Sequence, residues 1–315
     1  MTRQFCIFGG AIIDRVGTIE APLQIGQSHP GYWKQSVGGV GANVARHLAR
    51  FGGNVQIATL VGDDEDALSI IQQLKAENLT ILPGGTINDC QTPSYTVVHD
   101  QVGDVIVGLA DMKLHTHMDT NWALGAAKFA NPADIWVADT NLPAKSLSTL
   151  CDQKGETPIF VVAVSPAKIS VLESLGDRIE GLICNKAEAD ALVGKKSHNA
   201  ADAAKNLTSL GMPLAIVSNG AAPCAIARNT SNYADVEVIE HNTLKGFVDA
   251  TRMHLTGVGD TFAAACIFAM SNYARDDVST LLHANAAASI AMTKPETCPK
   301  ICWQMVEKRA SESKN

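Results

Sequence analysis

No run of eighteen consecutive apolar residues occurs in the chain, so the sequence offers no membrane-crossing helix. Positive charge is in deficit: 25 Lys and Arg stand against 32 Asp and Glu, a formal net charge of −7. That balance argues against a surface built for a phosphate backbone and leaves nucleic acid out of the expected partners. A nucleoside or nucleotide stays open as a small ligand. Paired cysteines are also missing. The eight cysteines are scattered, several of them inside apolar runs, the pattern of reduced, buried thiols in a cytoplasmic protein. Only Cys298 and Cys302 lie close together, and a single C-x-x-x-C with no second pair is a weak metal signal. The "HTH" of His115 to His117 reads as a polar loop. Near the start, "FCIFGGAII" is too short, and too soon followed by Asp14, for a secretory signal; it reads as a first strand.

Several catalytic signatures are absent. The nearest approach to a Walker A phosphate loop, "LVGKKS", has Ala189 in the first glycine position and Lys196 where Ser or Thr is needed. "GGVGANV" begins like a dinucleotide fingerprint but ends on Val44, and no strand of the usual kind runs straight into it. Neither G-x-S-x-G nor H-E-x-x-H occurs. P-loop, dinucleotide and common hydrolase chemistries therefore lose support.

What is present is a compact α/β pattern. With 46% hydrophobic and 18% charged residues over 315 positions, the chain can bury a large core. "ADIWVADTN", "PIFVVAVS", "IEGLICN" and "LAIVSNG" are apolar runs that end in polar residues, separated or followed by helix-like stretches from near Pro143, Lys186 and Asn199. Strands apolar on both faces, alternating with helices, predict a mostly parallel sheet whose ligand crevice lies beyond the strands' carboxyl ends. Two regions break the alternation. Thr92 to Asp111 reads as a hairpin turning near Gly103, and Val16 to Gly39 is rich in Gly and Pro without helical period. Together they predict a small β-sheet, a lid built from about 15–38 and 90–111, on a single domain spanning 1–315. The charged tail "EKRASESKN" is expected to fray.

Four short stretches carry candidate chemistry. "GGAIID" closes the first strand on Asp14, and "GGVGAN" supplies Gly38, Gly39, Gly41 and Asn43. "NKAE" places Asn185 at a strand end and Glu188 in a helix start, and "TGVGDTF" places Gly257, Gly259 and Asp260 before the apolar run "AAACIFAM". Each has an ordinary structural role open to it. Asp14 suits a turn, Asn43 a helix N-terminus, Glu188 an acidic first turn, and a glycine turn before a helix needs no ligand. Each also has a chemical role. Short polar side chains grip vicinal hydroxyls, glycines let backbone approach a ligand, and free amides at a helix start hold an anion.

In this order, the four stretches resemble the ribokinase-like (PfkB) carbohydrate kinases, and the resemblance covers essentially the whole chain. It implies an α/β fold, a three-layer α/β/α domain with a mostly parallel central sheet and a small β-sheet lid, and transfer of the γ-phosphate of ATP to a sugar or nucleoside hydroxyl. It implies that Asp260 is the general base and that the amides of Gly257, Val258 and Gly259 face the transferring phosphoryl group. Asp14, Gly39, Gly41 and Asn43 are implied to bind the acceptor. Asn185 and Glu188 are implied to lie near the ATP phosphates, Glu188 holding Mg²⁺ mainly through water. Ser218 and Gly220 occupy the place of the family's nucleotide-side T-x-G, and Asn285 is assigned to the same side.

The departures are specific. His254 and Leu255 replace the leading D-T of the family's D-T-x-G-A-G-D, which leaves K⁺ activation in question. Pro223 stands where a glycine is frequent, Ile12 where Asn is, and Val258 where Ala is. Val40 replaces the Lys typical of ribokinases and suits something bulkier than a free pentose, such as a nucleobase. "TPSY", "GLADM", "VADTNL" and "VVAVSPAK" are similar to the branch of the family that phosphorylates pseudouridine. That similarity implies pseudouridine as acceptor and pseudouridine 5′-phosphate as product. On this reading Thr92, Ser94 and Asp111 near the lid, with Asp139 and Asn141 at a strand end, define the base and ribose pocket. Ribose, adenosine or another nucleoside as acceptor, and a non-catalytic nucleoside binder, are the alternatives. The lid's strand edges offer a route to a homodimer.

Overall fold

The computed structural model describes residues 2–130, 133–229, 236–244, 255–272 and 276–313. Seven parallel strands form the body of the main sheet: β1 (Gln4–Phe8), β4 (Asn54–Ala58), β5 (Thr80–Ile81), β8 (Ile135–Asp139), β9 (Ile159–Val162), β10 (Gly181–Asn185) and β11 (Leu214–Asn219). Two antiparallel strands, β12 (Ala222–Asn229) and β13 (Val236–His241), extend it at one edge, so the order is β13-β12-β11-β10-β9-β8-β1-β4-β5. The sequence pattern did not foretell that antiparallel edge. Its strands carry polar residues on their outer positions instead of the continuous apolar runs that mark a doubly covered strand.

Alternation along β1 shows why the sheet is covered twice. Phe5 and Ile7 point into one core and Cys6 and Phe8 into the other. The first core is closed by α1 (Val40–Phe51), α2 (Glu65–Ala76), α7 (Val258–Asn272), α8 (Asp277–Ala291) and α9 (Trp303–Glu312). The second is closed by α3 (Thr120–Phe129), α4 (Ala144–Gln153), α5 (Lys186–Val193) and α6 (Ala200–Thr208). The result is the expected three-layer α/β/α arrangement.

A second sheet of four strands, in the order β3-β2-β6-β7, is formed by β2 (Ile12–Ile19), β3 (Gly31–Gly38), β6 (Ser94–His99) and β7 (Val105–Asp111). The β6–β7 hairpin turns through Gly103 at φ +94°, a conformation that glycine adopts without steric cost. Two expectations need correction here. Asp14 does not close the first strand: β1 stops at Phe8, Gly9 and Gly10 break the run, and Asp14 lies inside β2, paired with Ser36 and Tyr95. And a strand does run straight into "GGVGAN", since β3 of the small sheet ends one residue before the α1 cap at Gly39.

The two sheets meet where glycine is obligatory. A Cβ on Gly9 would sit 2.5 Å from the Asp139 carboxylate and 3.1 Å from the Gly41 Cα. Away from this crossing, Arg15 pairs with Asp66 at 2.5 Å and Gln35 donates to the same carboxylate at 3.2 Å, tying the small sheet to α2. Gly9→Ala is expected to cost about 1–3 kcal/mol through overpacking at the crossing, read as a lower urea midpoint at unchanged slope. A midpoint equal to the parent's would show that the crossing has room to relax.

Candidate active site

The carboxyl ends of β1, β8 and β10 and the starts of α1 and α7 converge on one place, and Asp139 organises its floor. One oxygen of this buried carboxylate accepts the Gly10 and Gly41 amides, each at 2.9 Å, and the other accepts the Asn141 amide at 2.8 Å. Burial pushes its carboxyl up, and those donors pull it back. Gly39, the α1 cap, has φ +95°, and a Cβ there would lie 2.5 Å from the Gly10 carbonyl oxygen. Gly39 and Gly41 thus bring the first turn of α1 against the end of β1.

That placement aims Asn43 across the gap to α7. Its Nδ2 donates to the Asp260 Oδ2 at 2.8 Å, while its Oδ1 faces the Arg46 guanidinium at 3.5 Å. Arg46 is fixed by the Val37 carbonyl oxygen at 3.0 Å and by Glu77 at 2.9 Å. A cation on one side and a carboxylate on the other leave the amide a single favourable orientation. Asp260 itself is pushed up to about 7, first by desolvation and then by the negative charges of Asp139, Asp14 and Glu188, against the bond from Asn43. Asp14 is raised to about 6 by desolvation. Its carboxylate lies directly over Gly38, where a Cβ would come within 2.0 Å of Oδ2.

The start of α7 supplies backbone donors. Gly257 has φ +79°, and a Cβ there would collide with the Thr297 carbonyl oxygen at 1.8 Å. The Val258 amide turns back to the Leu255 carbonyl oxygen at 3.3 Å, and the Thr261 amide to that of Gly257 at 3.0 Å. The Gly259 and Asp260 amides have no hydrogen-bond partner among the described residues, and nothing lies within 4 Å of a Cβ built on Gly259. These two amides, more than that of Val258, are the donors left for an anion. Leu255 is exposed, and His254 lies outside the described residues.

On the other flank, Asn185 caps α5. Its side chain accepts the Glu188 amide at 2.9 Å, and the Glu188 carboxylate accepts the Asn185 amide at 2.8 Å, a complete capping box. Glu188 is buried, and desolvation raises its carboxyl above the usual range. Ser218 sits beside Asn185 in the parallel register of β10 and β11, and Gly220 follows at φ +59°. Asn285 lies deeper, its Nδ2 donating to Cys224 Sγ at 3.1 Å and contacting His241 Nδ1 at 3.2 Å.

The small-sheet residues divide. Ser94 and Asp111 are cross-strand partners, and Ser94 also pairs with Ile13, next to Asp14. Thr92, in contrast, is built into a latch: its hydroxyl donates to Asp64 at 2.5 Å and accepts the Gly62 amide at 3.0 Å, and its own amide donates to Asp64 at 2.8 Å. Residues passed over in the sequence gather around the floor. Lys168 donates to Asn141 Oδ1 at 2.5 Å, and His115 is buried against Gly10, not exposed in a polar loop. His47 is buried beside Asp260's neighbour, contacting Thr261 Oγ1 at 2.9 Å. The helical spacing of Asn43 and Arg46 could have signalled one such pair; His115 and Lys168 have no local signal.

A family model described as pfkB family carbohydrate kinase matches residues 2–303. A pseudouridine kinase of Escherichia coli is 29% identical over 204 residues, 63% of this chain and 64% of that protein, so the match spans under two thirds of the relative's own length. Among solved structures, a carbohydrate kinase from Agrobacterium tumefaciens superposes with a TM-score of 0.85 at 28% identity, covering 98% of this chain and 97% of the other. An Arabidopsis thaliana ribokinase complexed with ribose and ATP gives 0.79 at 18% identity, covering 98% and 99%.

The crowding of carboxylates has a consequence for stability. Between the ordinary value of 3.8 and about 7, an unfolded chain has released the Asp260 proton and the native state still holds it. Native stability therefore falls as pH rises through that window. Asp260→Asn removes this contribution, so its thermal midpoint should exceed the parent's at pH 8 and converge with it near pH 4. An offset that is the same at both pH values would mean that Asp260 titrates as an ordinary carboxylate.

Proposed function

The chain belongs to the pfkB family of carbohydrate kinases, and on that basis we propose that it transfers the γ-phosphoryl group of ATP to the 5′-hydroxyl of pseudouridine. The observation that carries the chemistry is the Asn43–Asp260 bond at the start of α7. It sets a carboxylate with raised proton affinity beside two backbone amides that have no partner among the described residues, and opposite Asp14. Phosphoryl transfer asks for little more than position and charge stabilisation.

In the proposed step, the acceptor hydroxyl lies between Asp14 and Asp260, with Gly39, Gly41 and Asn43 around the sugar. Asp260 takes the hydroxyl proton as the new O–P bond forms and the bond from phosphorus to the ADP oxygen breaks. The amides of Gly259 and Asp260, at the positive end of α7, stabilise the charge on the transferring group. Asp139 acts by holding Gly10, Gly41 and Asn141 in place. Asn185, Glu188, Ser218 and Gly220 form the nucleotide side, with Asn285 beneath it. Glu188 uses one oxygen in its capping box and has a hard oxygen left, which fits Mg²⁺ held largely through water; bound there, the ion would neutralise phosphate charge. Ser94 and Asp111 belong to the acceptor side, carried on the small sheet.

Release of ADP in a coupled assay with pseudouridine, uridine, adenosine and ribose tests the reading. Turnover is expected with pseudouridine, and Asp260→Asn should lower kcat by about 10²–10⁴-fold. Turnover of ribose or adenosine without pseudouridine would overturn the acceptor, and a fully active Asp260→Asn would overturn the base.

We also propose that two copies pair through the small sheet. Trp33, Gly17, Val98 and Val107 form one row across it, and Trp33, Val107 and neighbouring Leu109 and Val105 are all exposed. Sedimentation should show a dimer that Leu109→Asp shifts to monomer; an already monomeric parent would exclude it.

A further inference from the structure

At the end of the floor opposite Asp260, three polar side chains from distant segments meet. Asn141 follows β8, Lys168 follows β9, and His115 lies in the turn after β7. A single point, where a Cβ on Gly10 would sit, lies 3.1 Å from both His115 Nε2 and Asn141 Nδ2. Lys168 Nζ bonds the other atom of the same amide, Asn141 Oδ1. The glycine is what allows an imidazole and an amide to close on the end of β1.

His115 is the unusual member. Its side chain is buried, and neither Nδ1 nor Nε2 has a hydrogen-bond partner among the described residues. Burial and the nearby Lys168 charge hold its pKa down at about 4, so the ring is neutral and offers one N–H and one lone pair. A buried polar group with no partner is costly, and proteins seldom keep one without a use. Lys168 has two N–H donors beyond the one given to Asn141, and Asn141 Nδ2, which turns one N–H toward the Asp139 carboxylate, carries a second.

We propose that His115, Asn141 and Lys168 are specificity-determining residues that read the imide edge of a pyrimidine-dione ring on the acceptor. This rests on the kinase reading above, because it takes the hydroxyl end of the acceptor to lie at Asp260. An imide edge presents carbonyl, N–H and carbonyl in sequence. Lys168 and Asn141 supply donors for the two carbonyl oxygens, and the His115 lone pair accepts from the N–H between them. Free pentose has no base to offer, and adenine has no carbonyl. A site that leaves buried polar groups unpaired with the wrong ligand discriminates more strongly than one that merely fits the right one.

Calorimetric titration of the full chain with pseudouridine, uridine, adenosine and ribose, without ATP, tests this apart from catalysis. The parent should bind both pyrimidine-dione nucleosides more tightly than adenosine or ribose. Lys168→Met, at a half-buried position, should weaken pseudouridine binding at least tenfold, with the thermal midpoint of the free protein reporting that it folds. His115→Phe should do the same, and in the ADP-release assay both should lower the preference in kcat/KM for pseudouridine over ribose. Unchanged pseudouridine binding in a folded Lys168→Met would overturn the assignment, as would a parent that binds ribose and ignores the dione nucleosides. Tight pseudouridine binding lost in Lys168→Met, with no ADP released from any acceptor, would uphold the pocket and overturn the kinase.

Discussion

The buried carboxylate of Asp139 is the fixed point of this molecule. It reaches the end of β1 through Gly10, the first turn of α1 through Gly41 and its own loop through Asn141, with a backbone amide as partner at each. A charge in that position is tolerable only when every lone pair it turns inward is met. The same bonds decide where α1 begins, and hence where Asn43 points. Gly9 and Gly41 complete the constraint, because backbone must pass backbone with no side chain between. The floor of the site is therefore determined by packing and hydrogen bonding before any ligand is considered.

Against this floor stands an excess of negative charge. Burial raises Asp260 to about 7, and the negative charges of Asp139, Asp14 and Glu188 add to the rise. The compensating positive charge is held one layer back. Glu77 grips Arg46 and Arg50, and Arg46 meets Asp260 only through the Asn43 amide. A direct ion pair would fix Asp260 as a permanent anion of low basicity. An intervening amide orients the carboxylate while leaving it proton-hungry, which suits a base working near neutrality.

Much of the fold was legible because its signals are local. The runs ending at Asp139, Asn185 and Asn219 became strands since residues buried on both faces must be apolar without interruption. The Asn185–Glu188 capping box is likewise written in four consecutive residues. The motif residues Asp14, Asn43, Glu188 and Asp260 could be named from short stretches, and the structure gathers them into one electrostatic neighbourhood. What escaped depends on distant partners. Thr92 carries the same letters whether it faces a ligand or, as here, latches onto Asp64. Asp14 was assigned to the wrong sheet because Gly9–Gly10 can bend a strand or end it. His115 and Lys168 are separated by fifty-odd residues, and only the order of strands β1, β8 and β9 makes them neighbours.

Only Gly9, Gly10 and Ala11 separate β1 from β2, and Asp14 rides on β2 while Asp260 is rooted in α7. A molecule bonded to both is then a tie-bar between two bodies of the protein. On the proposed reading, part of its binding free energy would go into holding the small sheet against the main domain, and contacts alone would receive the remainder. Selection by such a site acts on reach as well as on chemistry. A ligand too short to span the two carboxylates would leave the tie between small sheet and α2 to Arg15 and Gln35 on Asp66, and one too long would strain it.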